Sequence, residues 1–479
     1  MATPRPLIAS PQPSNASASA ALAAQKRLAP AVKRLVHAVR AKKGKLSLAV
    51  RETETGLLWA GHQRNLPVNP ASNVKIITAW AALRILGPGH RYLTSLHGQL
   101  AEGGHVSRLA VVGDGDPDLE MRHLYEMVAR VKRAGLRSVG DIVVDQSGFD
   151  GQHVPPAFGQ QPDEWASFRA PVAAVSLAGN TAMFEMRPGA VGRPVHLAVV
   201  PRGFVTVTGL AQTSAASKRP ALRLKLKADG RRVKATLGGT LPVDAKVVRL
   251  WRRVADPTLL VGYGLRTVCE DLGIEVKGKV KTGSAAGAKE LSRHRSRPLA
   301  RLLHAMGKYS NNFYAEMVFK RLGAPIGDGK PASFERAAVA VRGLLEQAKL
   351  DTAGLRLQNG SGLFDANRIS ASLMTAVLRE AWRDGRVRPE LMSQLAIGGT
   401  DGTLQSRFKG LRESRMVRAK TGTLAQVSAL SGYVTGERRT LAFSVLIDDV
   451  RGHAAAFRQD IDAFVRAVAV EADRARAKR

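Results

Sequence analysis

The sequence predicts a mixed α/β (α+β) protein of two or three domains. Three observations carry this. At 479 residues the chain is longer than one hydrophobic core organises. Its texture changes repeatedly: helix and hairpin, then strands alternating with helices, then strict two-residue alternation, then a long helical stretch closed by two strands. Apolar residues make up 44%, as in ordinary globular proteins, and no run of about 18 apolar residues offers a membrane span.

The elements follow in order. Residues 1–24 are rich in Pro, Ser and Ala, carry one charge, Arg5, and read as a disordered or leader-like N-terminal arm. From Ala29 to Lys43, Val32, Leu35, Val36 and Val39 recur at helical spacing. Leu46 to Val50 and Leu57 to Ala60 form a hairpin across Thr55-Gly56. Pro70 opens a helix that runs through an apolar stretch to Leu86 and stops at Gly87-Pro88-Gly89. Strand Leu109 to Val112 enters the acidic turn Asp114 to Asp118. Its alternate aspartates match the start of a calcium loop but lack the later glutamate, which favours a plain turn. Helix Met121 to Ala134 and strand Asp141 to Asp145 come next. Residues 182–250 are strand-like. Leu222 to Lys227 has period two, Asp229-Gly230 makes a tight turn, and Arg231 to Leu237 returns, giving an apolar and a basic face. Helix Thr258 to Leu272 and strand Ile274 to Val276 precede Lys277 to Arg297, which is Gly/Ala/basic-rich and reads as a linker. The chain is helical from Leu299 to about Leu395 and closes with strands Gln426 to Thr435 and Arg439 to Asp448 and a helix from His453 to Arg476.

There are 73 Lys and Arg against 39 Asp and Glu, a formal net charge of +34. Such a field attracts polyanions in general, so anionic wall polymers and anionic lipids are candidate partners, the basic hairpin face foremost. Solubility alone is the competing explanation for the charge. Nucleic acid is disfavoured: no recognised binding motif stands out, and aromatic residues are only 5%. The single cysteine, Cys269, excludes an internal disulfide and a cysteine-based zinc site, and its apolar helical context predicts an inert buried thiol.

The chemistry concentrates in three short motifs. In Ser72-Asn73-Val74-Lys75 a hydroxyl and an amine stand three residues apart at a helix start, so both face one side. Serine needs a base to become a nucleophile, and lysine serves only when burial or a neighbouring cation lowers its pKa. The spacing alone is common, and a solvated lysine is the bland alternative. Ser310-Asn311-Asn312 and Lys420-Thr421-Gly422-Thr423 follow in order, the second just before the strand pair. A serine with a lysine, then Ser-x-Asn, then Lys-Thr-Gly is the signature of penicillin-binding enzymes and active-site serine β-lactamases. Two repeats of these patterns are rejected. Ser406-Arg407-Phe408-Lys409 lies after Ser310 and lacks a following apolar helix, and Lys281-Thr282-Gly283 precedes Ser310 in the linker. No Gly-x-Ser-x-Gly elbow and no His-Glu-x-x-His metal helix occurs.

The chain from about residue 30 resembles the class C low-molecular-mass penicillin-binding proteins of the D-alanyl-D-alanine carboxypeptidase/endopeptidase (DacB, peptidase S13) family. About 240 residues separate Ser72 from Ser310, the large insertion typical of that family. Gly115-Asp116-Pro117, Phe149-Asp150-Gly151, Gly360-Ser361-Gly362-Leu363 and Asp401-Gly402-Thr403-Leu404 resemble it too, whereas Asn359 stands where the family usually has Asp. The resemblance implies a penicillin-binding/serine β-lactamase-like transpeptidase fold. The catalytic domain would be discontinuous, residues 25–95 and 286–479. Residues 96–181 and 251–285 would form an inserted second α/β domain, with 182–250 a nested, mostly β third.

The resemblance further implies a serine-type D-Ala-D-Ala carboxypeptidase and DD-endopeptidase acting on peptidoglycan stem peptides, inhibited by β-lactams, working in the periplasm or outside the cell without metal or cofactor. Ser72, Lys75, Ser310 and Asn312 would be catalytic, and Lys420, Thr421, Gly422 and Thr423 would bind the substrate. Two alternatives stay open: a β-lactamase or esterase on the same scaffold, and a catalytically weak polyanion-binding wall protein.

Overall fold

A computed structural model describes residues 14–216, 219–324, 329–409, 415–452 and 454–474. The chain forms two compact units, one from Met1–His90, Pro298–Gly323 and Phe334–Arg479, the other from Arg91–Arg297 and Ala324–Ser333.

The first unit is built on a six-stranded sheet in the order Ala396–Ile397, Val417–Leu424, Val427–Thr435, Thr440–Asp448, Lys45–Glu52 and Leu58–His62. Every neighbouring pair is antiparallel, so N- and C-terminal segments complete one sheet around the inserted chain. Leu48, Val445 and Ile447 share one apolar cluster with Leu28, Leu35 and Val39 of helix Asn15–Ala41 and with Phe464 and Val468 of helix Arg458–Asp473. The first helix begins at Asn15, so residues 15–24 are not an unstructured arm. Ala21 and Ala24 belong to the same buried cluster, and the apolar contact extends the helix toward the N-terminus. Residues 1–13, the rest of the expected arm, lie outside the described residues.

Helix Val74–Ile85 is buried from Val74 through Leu83, on every face. A helix apolar all round sits in a core rather than on a surface. Helices Leu299–Lys308, Asn312–Arg321, Phe334–Gln347, Ala371–Arg383 and Arg388–Gln394 complete this unit. Among the described residues no helix is long and apolar enough to cross a membrane.

The second unit centres on a sheet ordered Glu275–Val276, Ser138–Asp145, His105–Gly113, Leu93–Gly98 and Lys289–Arg295, with Val280–Thr282 also paired to Ser138–Asp145. The Lys277 to Arg297 segment is therefore not a linker. Its two strands add to existing strands, one parallel and one antiparallel, and backbone pairing offsets weak side-chain patterning. Residues 181–253 form three small sheets, including the hairpin Arg223–Asp229 with Arg232–Gly238. Phe184, Phe204, Val233 and Leu241 from this region share one buried cluster with Leu109, Val144 and Leu265. Cys269 lies in that cluster, and burial pushes its thiol up to about 12.

Candidate active site

Asn69-Pro70 shapes the first part of the site. The Asn69 carboxamide oxygen accepts the Ala71 N–H at 2.9 Å, and Ala71 takes a positive φ of 44°. A left-handed alanine is strained, and such strain persists only where surroundings over-determine it. A single 3₁₀ turn, Ala71–Asn73, carries Ser72 and feeds helix Val74–Ile85, whose first turn holds Lys75, 0% exposed.

Lys75 Nζ lies 2.9 Å from Ser72 Oγ, 2.8 Å from Asn312 Oδ1 and 2.7 Å from the Ser361 carbonyl. Three acceptors match the three donors of an ammonium. Burial, with the Lys420 charge nearby, holds its pKa well below the usual lysine range, while Glu316 pulls it back up.

Asn312 opens a helix whose N-cap, Asn311, accepts the Tyr314 N–H at 3.1 Å. Ser310, just before it, has φ 59°, a second strained non-glycine residue beside the site. Its hydroxyl accepts from Lys420 Nζ at 2.8 Å, and Lys420 also donates to the Thr421 carbonyl at 2.8 Å. Lys420, Thr421, Gly422 and Thr423 lie on strand Val417–Leu424 itself, with Lys420 opposite Ser431 of the next strand. Lys420 is 1% exposed, and burial brings its pKa down to about 7. Thr421 donates to the Thr403 hydroxyl at 2.9 Å, and Thr423 is exposed.

The structure thus brings all eight expected residues into one unit, in two linked groups: Ser72, Lys75 and Asn312 about one ammonium, Ser310 and Lys420 about the other. Gly422 lies against the Ser72 turn; a β-carbon there would stand 2.7 Å from Asn73 Nδ2 and 2.9 Å from the Pro70 carbonyl.

Sequence reasoning missed Glu316 and the backbone of Ser361. Glu316 is 0% exposed on the helix that begins at Asn312. Its two oxygens accept the N–H groups of Gly360, at 3.1 Å, and Ser361, at 2.9 Å. Burial pushes its carboxyl upward, while those N–H groups and Lys75 oppose the shift. It thereby fixes the loop whose carbonyl receives Lys75. Gly360 and Gly362 make the loop possible: a β-carbon on Gly360 would meet the Ala315 carbonyl at 2.5 Å, and one on Gly362, at φ 73°, the Ala71 carbonyl at 1.9 Å. The only signal of this in the sequence was Gly360-Ser361-Gly362 itself. Among the described residues no group of three or more His, Cys, Asp or Glu side chains is arranged to hold a metal ion.

A serine and a buried lysine, faced by Ser-x-Asn and a Lys-Thr-Gly strand on an antiparallel sheet, define the penicillin-binding class of active-site serine enzymes. The chain belongs to the D-Ala-D-Ala carboxypeptidase 3 (S13) family, whose model matches residues 29–469. It is 33% identical over 439 residues to a D-alanyl-D-alanine carboxypeptidase of Actinomadura sp. (strain R39), covering 88% of this chain and 81% of the relative. Its fold is similar to the crystal structure of penicillin binding protein 4 (dacB) from Haemophilus influenzae, at TM-score 0.77 and 26% identity, covering 92% of this chain and 99% of that one. The same H. influenzae protein complexed with a novel β-lactam matches at TM-score 0.71 and 26% identity, over 91% and 98% of the two chains. This chain is accordingly a serine-type D-Ala-D-Ala carboxypeptidase.

Proposed function

We propose that the eight clustered residues carry out this activity through an acyl-enzyme on Ser72. The observation that carries the reading is the 2.9 Å contact between Ser72 Oγ and a fully buried lysine whose pKa is held low. In its neutral form Lys75 takes the Ser72 proton as Oγ attacks the carbonyl carbon of the penultimate D-Ala. The backbone N–H groups of Ser72 and Thr423 receive the developing oxyanion, an interaction typically worth about 3–4 kcal/mol per donor. The proton passes by way of Ser310 to the leaving nitrogen as the peptide bond breaks. Free D-Ala departs, and water then cleaves the ester and restores Ser72. Asn312 holds Lys75 and the substrate amide. Lys420 supplies positive potential, and Thr421 and Thr423 offer hydroxyls to the terminal carboxylate.

In a β-lactam the leaving nitrogen stays tethered to the acyl group, so the same attack leaves a long-lived adduct. A crosslinking amine in place of the terminal D-Ala makes the reaction a DD-endopeptidase step, with no other change in chemistry. The reading assigns the protein to the periplasm or the cell exterior, where peptidoglycan lies. It keeps the division into a split catalytic domain, an inserted α/β domain and a nested β-rich module. The +34 charge further supports contact with anionic wall polymers or lipids.

A stem pentapeptide ending in D-Ala-D-Ala tests the assignment. The protein releases one D-Ala per peptide, and Ser72→Ala does not. Undiminished release from Ser72→Ala would contradict the role given to Ser72.

A further inference from the structure

The rejected Ser-x-x-Lys repeat has a structural context of its own. Residues Ser406 to Lys409 and the start of helix Arg458–Asp473 enclose a concavity of about 630 Å³ within the first unit. Four cations line it, Arg407, Lys409, Arg458 and Arg466, against one acid, Asp462. Arg407 is committed to that acid: its Nε lies 3.1 and 3.2 Å from the two Asp462 oxygens. Lys409, Arg458 and Arg466 make no ion pair among the described residues.

Two of these cations are held in place. The guanidinium carbons of Arg407 and Arg466 each lie 5.7 Å from the centroid of the Phe408 ring. That ring is 1% exposed, and Phe408 takes a φ of 59°, a conformation bulky residues avoid. The buried ring is the shared platform for two guanidiniums. The concavity also lies at the N-terminal, positive end of a 16-residue helix. Like charges gathered in this way repel one another unless an anion joins them.

We infer that this concavity binds the phosphate groups of a linear phosphodiester polymer. Planar guanidinium forks suit phosphate oxygens, and Arg466 presents one held against the Phe408 ring, while Arg407 stays on Asp462. Among the described residues the non-cationic lining is short or polar, Ser406, Ala455, Ala456 and Gln459, and offers no exposed large apolar side chain to insert into a bilayer. The one aromatic ring is buried, so none is available to stack on a nucleobase. The inference does not rest on the catalytic roles proposed above, because none of these residues belongs to the Ser72 site.

The experiment measures binding of labelled poly(glycerol phosphate) to the full chain at about 50 and 200 mM salt. Lys409→Gln/Arg458→Gln/Arg466→Gln weakens binding about tenfold or more and flattens its salt dependence. A control of equal charge, Lys225→Gln/Lys227→Gln/Lys234→Gln on the exposed hairpin face, changes it less than about twofold. Because Arg466 packs on Phe408, the rim variant Lys409→Gln/Arg458→Gln is measured beside it and loses about threefold or more on its own. Penicillin labelling stays at the wild-type rate in every variant, which separates this result from any failure at Ser72. Equal losses in the two triple variants would overturn the site in favour of diffuse charge. Phosphatidylglycerol vesicles or oligo(dT) that bind as tightly as the polymer, and are lost in the same variants, would overturn the choice of ligand.

Discussion

The Glu316 carboxylate accepts the N–H of Ser361 at 2.9 Å, and the carbonyl of the same Ser361 receives Lys75 at 2.7 Å. A buried acid thus reaches the Lys75 amine through one intervening residue, and its charge also raises the Lys75 pKa. Glu316→Gln keeps the shape and removes the charge. The expected result is an acylation rate about 10- to 100-fold lower, as for loss of a charged hydrogen bond. The acid limb of the rate profile moves to lower pH, because Lys75 sheds its proton more readily without the carboxylate. A merely structural role would lower the rate and leave the limb in place. Stopped-flow labelling by a chromogenic β-lactam across pH reads both.

Lys420 supplies the second prediction. Burial brings its pKa to about 7, so its charge is present below that pH and lost above it. If that charge receives the substrate carboxylate, kcat/KM for a D-Ala-D-Ala peptide falls as pH rises through about 7. Lys420→Arg keeps its charge throughout, so the alkaline limb disappears even where the overall rate drops. An unchanged limb in Lys420→Arg would move its origin to another group.

A third prediction concerns stability in the second unit. Asp116 is 2% exposed. One oxygen accepts the Asp118 N–H at 2.8 Å, and the other lies 3.7 Å from His294 Nε2 without a hydrogen bond. Burial, with Asp118 and Asp114 adding like charge and Arg297 opposing, raises its pKa to about 7. A carboxyl with a raised folded pKa contributes stability that is complete below about pH 4 and lost as pH rises to about 7, at most about 4 kcal/mol here. Asp116→Asn removes that dependence. The stability gap between wild type and variant therefore shifts in favour of the variant between pH 5 and 8. His123 and His294, whose stacked rings are both pushed down by burial, titrate in both proteins and largely cancel. Denaturant melts at the two pH values give the gap, and a gap that does not change with pH would contradict the raised pKa.

Much of the site was legible because the chemistry needs fixed residue types at fixed local spacing. Ser72 and Lys75 share a helix face whatever surrounds them, and Lys420 announces itself by the strand patterns that follow it. Glu316 was not legible: one glutamate in a helix is ordinary, and only the tertiary structure sets it against Gly360 and Ser361. Ser310 was expected in the site, but not its hydrogen bond to Lys420, a pairing that depends on where a distant strand lies. The fold was read best where periodicity is strong, as in the hairpin Arg223–Asp229 and Arg232–Gly238. It was read worst where partners supply the order. Val280–Thr282 is a strand because Ile142 to Val144 pair with it, and residues 15–24 are helical where the first and last helices meet the sheet. Neither cause is visible in the local sequence.

The central claim is that Ser72 is the acylated residue. The most direct measurement is the intact mass of the protein after incubation with a labelled penicillin, with peptide mapping, beside Ser72→Ala. The account predicts one adduct per chain, mapped to Ser72, long-lived in the wild type and absent from the variant. An adduct that persists in Ser72→Ala, or maps elsewhere, would contradict it.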